Sequence, residues 1–241
     1  MCVSPVSEGS GECEDDYSNA YQALKQYIKK LKIPFVSIHG DCSISNDDGY
    51  FPVEIVVLTR ISNPKNLQRV CQMLSDLGAK VNKSCGLHVH LDCRKYTEPE
   101  VIEQAKKFGY TLNVLKRLVP KSRRDNNYCK LEVGTPSGDR YRAINLASYR
   151  ERQTIEVRLH SGTTDFNKII NWARLMHGIL NSNLNEDVST LAGLAARLNL
   201  DGELFNYFKE REKLFNKDME VKVEDVQREA MDLDNTEEEV A

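Results

Sequence analysis

The spacing of apolar residues divides the chain into helical and extended stretches. Tyr17, Ala20, Leu24, Ile28 and Leu31 recur every three to four positions and predict a helix over Tyr17–Lys32. Phe35–Ile44 alternates weakly and Val53–Leu58 (VEIVVL) is a β-branched run, so both are expected as strands. Asn63-Pro64 opens a second helix with Leu67, Val70, Cys71, Leu74 and Leu77 on one face, and Gly78 ends it. A strand is expected over Lys80–Asp92, then a long helix over Glu98–Leu118 that begins around Pro99. Val119–Arg140, rich in Pro, Gly, Arg and Asn, reads as a loop. Strands follow at Tyr141–Ser148 and Gln153–His160. Helices come next, from Asp165 to about Asn181, over Val188–Asn199 and over Gly202–Phe215. In the first of these, Trp172 stands among Ile169, Ile170, Ala173 and Met176, the setting of a core residue. Strands separated by helices, with one adjacent hairpin, define an α+β class: a mostly antiparallel sheet covered by helices on one face.

Charge adds a boundary. The 33 basic and 36 acidic residues nearly cancel, but residues Asp218 to Ala241 hold ten acidic against two basic ones, Lys222 and Arg228. The first 217 residues are left with 31 basic and 26 acidic, a net of +5. The expected organisation is one domain over 1–217 and an acidic tail over 218–241, either solvated or a contact for a protein partner. A scattered excess of this size does not argue for nucleic acid, while an anionic small molecule such as a nucleotide is compatible. No apolar run approaches the roughly 18–20 residues that span a bilayer. The start, MCVSPVSEGSGECEDD, resembles neither a signal nor a transit peptide. Seven cysteines without framework spacing suit reduced thiols and a cytoplasmic location.

The candidate chemistry lies in two strands, CGLHVHLD (Cys85–Asp92) and TIEVRLH (Thr154–His160). Side chains alternate along a strand, so Leu87, Val89 and Leu91 bury one face of the first and leave His88, His90 and Asp92 on the other. In the second, Ile155, Val157 and Leu159 face the core, leaving Glu156, Arg158 and His160 opposite. Such faces often do no more than meet water. Histidines at i, i+2 and a carboxylate beside a guanidinium on one strand instead suit a metal next to a phosphate. Glu54, the one charge in VEIVVL, needs a partner if it is buried. Imidazole with carboxylate suits Mg²⁺, Mn²⁺ or Zn²⁺. A zinc site sharing Cys85 and Cys93 with the histidines is disfavoured, because odd and even positions face opposite ways. An H-x-H strand also opens metal-dependent hydrolase barrels, but the chain after position 88 is too short for one.

Taken in order, DCSIS, VEIVV, CGLHVHLD, VPKSRRDNNYC, YRAINL, TIEVRLHSGT and IINW resemble the amidoligases related to glutamine synthetase and glutamate–cysteine ligase, over about Asp41–Leu180. The resemblance does not extend to the helical part at 187–217. It implies a glutamine synthetase-like catalytic core, a curved sheet whose concave face holds ATP and Mg²⁺ or Mn²⁺. It further implies an ATP-dependent ligase that joins a small-molecule or peptide carboxylate to an amine through an acyl phosphate. In that scheme Glu156, His88 and Glu54 hold metal, Arg158 and His90 contact nucleotide phosphates, and Arg142 contacts phosphate or acyl phosphate. Arg123, Arg124 and Tyr128 would sit on a loop over the substrate. The family's first strand carries G-x-E-x-E, and here only Glu12 and Glu14, in Gly11-Glu12-Cys13-Glu14, offer that spacing as further metal ligands. A catalytically inactive nucleotide- or peptide-binding relative on the same scaffold is the alternative, and a metal-dependent hydrolase a more distant one.

Overall fold

The computed structural model describes residues 2–3, 13–41, 43–45 and 50–216. The acidic segment 218–241 and Glu12 lie outside them. Instead of a single sheet, the strands form two. The first has three antiparallel strands in the order β1 (Cys2–Val3), β3 (Phe51–Val57), β2 (Val36–Gly40). The second has four: β4 (Gly86–Asp92), β7 (Thr154–Ser161), β6 (Arg142–Asn145) and β5 (Lys130–Val133). It is mixed, because β5 runs parallel to β6 while the other two pairings are antiparallel. The expectation of one sheet is corrected, while the mostly antiparallel pairing holds in four of the five strand pairs.

Helices α1 (Cys13–Lys30) and α2 (Lys65–Asp76) cover one side of the first sheet, where Leu24, Ile28, Val70, Met73 and Leu74 pack on Ile38, Phe51 and Val53. The sequence accounts for the end of α2. Gly78 takes a left-handed φ of 63°, its N–H donates to Ser75 O, and the Ala79 N–H donates to Leu74 O, which satisfies the final carbonyls. Against the second sheet pack α3 (Glu98–Gly109), α6 (Phe166–Leu180), α7 (Leu191–Leu198) and α8, residues 202–216. Their core joins Val101, Phe108, Leu115, Ile155, Val157, Leu159, Trp172 and Phe208. Leu67 and Cys71 of α2 touch the Ile170 region of α6, which links the two layers. Among the described residues no helix is long and apolar enough to cross a membrane.

Three expected boundaries move, each for a local reason. The long helix stops at Gly109. Thr111 Oγ1 donates back to Phe108 O at 2.9 Å, and Tyr110 O accepts from Val188 N–H, so the chain turns before the short α4 (Leu112–Leu115). The stretch 119–140 holds a 3₁₀ turn, Lys121–Arg123, and the four-residue β5, too brief for periodicity to reveal. Between β6 and β7 the chain forms α5 (Ala147–Arg152), and Gln153 then reverses it at φ 52°.

Candidate functional site

Register builds the site. His90 of β4 lies opposite Glu156 of β7, and Glu156 lies opposite Asn145 of β6, so the three form one row across the sheet. Residues directly opposite share a face, and alternation adds His88 beside His90. The row is buried at Glu156, 4% exposed, and Asn145, 2%, and opens to solvent at His90. Asn145 Nδ2 donates to Glu156 Oε2 at 2.5 Å, and Arg158 Nη1 donates to Oε1 at 2.8 Å. His88 Nδ1 lies 3.1 Å and His90 Nε2 3.6 Å from the same Oε1. Burial opposes charge on Glu156. The hydrogen bond from His88 and the charges of His88, Arg158 and His90 outweigh it, holding the carboxyl well below the usual carboxylate range.

Arg123 closes the cluster from the loop. Its Nη2 donates to Arg158 O at 2.6 Å, and the side chain is buried. Burial lowers its pKa, with the like charge of Arg158 adding to the effect. The Nε of Arg123 and the Nε of Arg158 are both buried and lack a hydrogen-bond partner. Unpaired buried guanidinium N–H groups are costly and suit an anionic acceptor. Gly86 permits this crowding, because a Cβ there would stand 2.9 Å from His88 Nε2 and 3.4 Å from Arg123 Nη2.

The other expected residues fall around this cluster or away from it. Glu54 sits on the first sheet, exposed, opposite His39. It still reaches His90 electrostatically: burial lowers the imidazole pKa most, while Glu156 and Glu54 pull it up. His90 Nδ1 pairs with Thr154 Oγ1 at 2.9 Å. Arg142 does not join the cluster. It shares the Ile144 side of β6, opposite Asn145, and its guanidinium pairs with Glu132 at 3.0 Å and Asp139 at 3.1 Å. Arg124 turns to α8, where Nη2 donates to Phe215 O and Asn216 Oδ1. Tyr128 is exposed and meets Tyr141 edge-on, ring centroids 6.0 Å apart. Glu14 belongs to the first turn of α1, a helix in place of the strand that an E-x-E repeat would need.

His160 is corrected outright. Leu87 pairs with His160 but Val89 with Val157, so Arg158 and Leu159 together face the single residue His88. This bulge re-aims the strand. His160 falls on the Leu87 side, buried against Trp172, with Nε2 2.7 Å from Arg211 Nη2 and Nδ1 2.7 Å from Ser161 O. Burial, then the charge of Arg211, presses its pKa to about 3. It is a neutral structural imidazole. One residue of the row escaped the sequence reading: Asn145 was visible only as the lone polar residue of I-N-L.

Among the described residues no three His, Cys, Asp or Glu side chains are placed to hold an ion. His88, His90 and Glu156 come nearest, but the histidines and Arg158 converge on one carboxylate oxygen instead of on a common gap. As arranged, the set does not fit a cation. Cys85 and Cys93 are buried and free, as are Cys71 and Cys129, and they take no part.

The site is a polar row on the second sheet of an α+β domain, flanked by two guanidinium groups whose buried Nε–H lacks a partner. A family model described as "Putative amidoligase enzyme" matches residues 7–133 and 135–180, well over half of the chain. The chain belongs to this amidoligase family. No curated protein and no solved structure matches it.

Proposed function

We propose that the chain is an ATP-dependent carboxylate–amine ligase. The observation that supports it most directly is the pair of guanidinium groups of the buried Arg123 and the half-buried Arg158, each with a buried, unpartnered Nε–H beside the Glu156 row. Joining a carboxylate to an amine in water is uphill. ATP transfers its terminal phosphoryl group to the carboxylate, giving an acyl phosphate and ADP. The amine nitrogen then attacks the acyl carbon, phosphate leaves, and the amine proton passes to solvent or a nearby base. The first step brings anions together, and fixed cations in a dry site stabilise the charge as it develops. No side-chain nucleophile is required. Buried free thiols suit a reducing, cytoplasmic setting.

The test is release of ADP and phosphate from ATP with a panel of carboxylates and amines, small and peptidic. Arg158→Ala and Arg123→Ala are each expected to lower turnover by about 10²–10³, the range found on removing one donor to a developing anion. Turnover unchanged in both variants would rule the assignment out.

A second reading, a non-catalytic nucleotide- or peptide-binding relative, is favoured by one observation: Glu14 is helical, so the described residues lack the family's E-x-E strand. Stabilisation by ATP in a thermal shift, with no ADP released across the panel, would select it.

A further inference from the structure

We infer that the open face of the first sheet is a docking shelf for an extended peptide, apolar in its body and cationic at one end, with Phe35, Val56 and Leu58 under the apolar part and Glu54 at the cation. The inference deepens the ligase reading and rests on it only for calling this peptide the amine acceptor.

Register lays the shelf out. Ser37 stands opposite Val56 and His39 opposite Glu54, and the 2.9 Å bond from Leu58 N–H to Phe35 O puts Phe35 opposite Leu58. Along β3, Val53, Ile55 and Val57 pack toward α1 and α2. Alternation therefore leaves Glu54, Val56 and Leu58 on the other side. Phe35 and Leu58, 70% and 67% exposed, are the two most exposed large apolar residues among the described ones. Neither they nor Val56 join an apolar cluster of the fold. Neighbouring apolar side chains left in water mark a contact surface. The backbone gives an independent sign. Phe35 holds a left-handed φ of 61°, a strained state for any residue with a side chain. Its ring lies in water and returns nothing to the packing. Strain kept at such a residue points to a use outside the fold.

Charge and length select the occupant. Glu54 is the one carboxylate on these three rows, and it has no ion-pair partner among the described residues. It attracts a cation and repels an acidic peptide. Its field also reaches His90, which joins this end of the shelf to the Glu156 row. At about 3.4 Å per strand residue, Glu54 and Leu58 stand about 13 Å apart. A single amino acid cannot touch both ends, whereas about four extended residues can. An added strand is disfavoured as occupant. β2 is the edge of this sheet, but its Ile38 O accepts from Tyr21 Oη–H of α1 at 2.6 Å, so the edge is already covered. A peptide meets the face, through side chains.

The experiment titrates N-acetyl-Lys-Ser-Leu-Phe amide into the ¹⁵N-labelled full chain without ATP. Amide signals of residues 35–39 and 54–58 should shift and saturate. Phe35→Gly and Leu58→Ser should each weaken the peptide about fivefold or more. The urea midpoint of Phe35→Gly should not fall, an outcome that a merely structural ring would not allow. Glu54→Gln should weaken the peptide about two- to fivefold, the range of an exposed ion pair. Changes in the peptide keep the test independent of folding: glutamate for its lysine, or serine for its leucine and phenylalanine, should each weaken binding to the unaltered protein. Equal binding of either altered peptide, equal affinity in Phe35→Gly and Leu58→Ser, or shifts absent or confined to other residues would overturn the inference. Peptide bound on the shelf by a chain that releases no ADP would uphold the shelf and sink the ligase reading. ADP released with free amines, and no peptide bound, would do the reverse.

Discussion

The two sheets treat polarity in opposite ways. On the first, the side away from α1 and α2 exposes Glu54, Val56 and Leu58 of the β3 segment, together with Phe35. Charges there are hydrated and need no partner. On the second, one side is buried at Ile155, Val157 and Leu159, and the other buries Glu156 and Asn145 behind the partly exposed His88 and the exposed His90. Polar groups there are held by one another, and Arg123 covers them from the loop. The difference teaches where to look for chemistry. A charged face is ordinary, whereas a charged face removed from solvent must be offset by an arrangement specific enough to recognise a ligand.

The largest expected effect tests that contrast directly. Arg158→Leu leaves Glu156 buried without its cation and should destabilise the fold by about 3–5 kcal/mol, the range for breaking a buried pair from one side. Glu54→Gln on the first sheet should change stability by no more than about 0.5 kcal/mol. Urea unfolding of the two variants measures both. Equal effects would mean that the two faces are not physically distinct.

Acid sharpens the same comparison. An unfolded histidine takes up its proton near pH 6.5, whereas His160 in the fold resists until about pH 3, because burial and then Arg211 disfavour the imidazolium. Between those values the unfolded chain binds more protons, so stability falls as pH drops from about 6.5 toward 3. His90, also lowered, has the same sign over its own range. Glu156, held below the usual carboxylate range, adds a further loss as pH falls below about 4.5. The His160 contribution should amount to about 2–3 kcal/mol by pH 4.5. His160→Gln retains an acceptor for Arg211 and should flatten the slope between pH 6.5 and 5. Amide exchange should quicken in β4 and β7 before β2 and β3. A slope unchanged in His160→Gln would place the acid sensitivity elsewhere.

Legibility in the sequence followed the same physical line. Alternation was enough to put His88, His90, Glu156 and Arg158 on one face, because short-range geometry determines which way neighbouring side chains point. It failed at His160, since a bulge is set by pairing with β4 and not by the strand's own residues. Arg142, named from the family resemblance and not from alternation, lies on the Ile144 side of β6, and which side that is depends on where β6 pairs with β7. Asn145 became a site residue only through its row with Glu156, a long-range fact. The split into two sheets and the parallel β5 were hidden for the same reason: four residues of K-L-E-V carry too little pattern to announce a partner. The helical state of Glu14 shows the opposite limit: E-x-E spacing matched the family's first strand, but its polar flanks lack the β-branched run a strand needs.

The smallest effect concerns the first sheet and carries the opposite sign. Phe35 precedes β2 with a left-handed φ of 61° and is 70% exposed. Its carbonyl accepts from Leu58 N–H at 2.9 Å, a bond that does not depend on the side chain. A left-handed backbone costs a side-chain-bearing residue about 1–2 kcal/mol, whereas glycine adopts it freely. Part of that gain is offset because glycine loosens the unfolded chain. Phe35→Gly should therefore stabilise the protein, by about 0.5–1 kcal/mol. Val56→Gly, on the same open face but within regular strand, gains no such relief and should lose about 0.5–1 kcal/mol. Urea midpoints of the two glycine variants should move in opposite directions. A loss for Phe35→Gly as large as that for Val56→Gly would mean that the exposed Phe35 ring holds the first sheet through contacts of its own, and that its open face is not as indifferent to its side chains as the buried face of the second sheet makes it look.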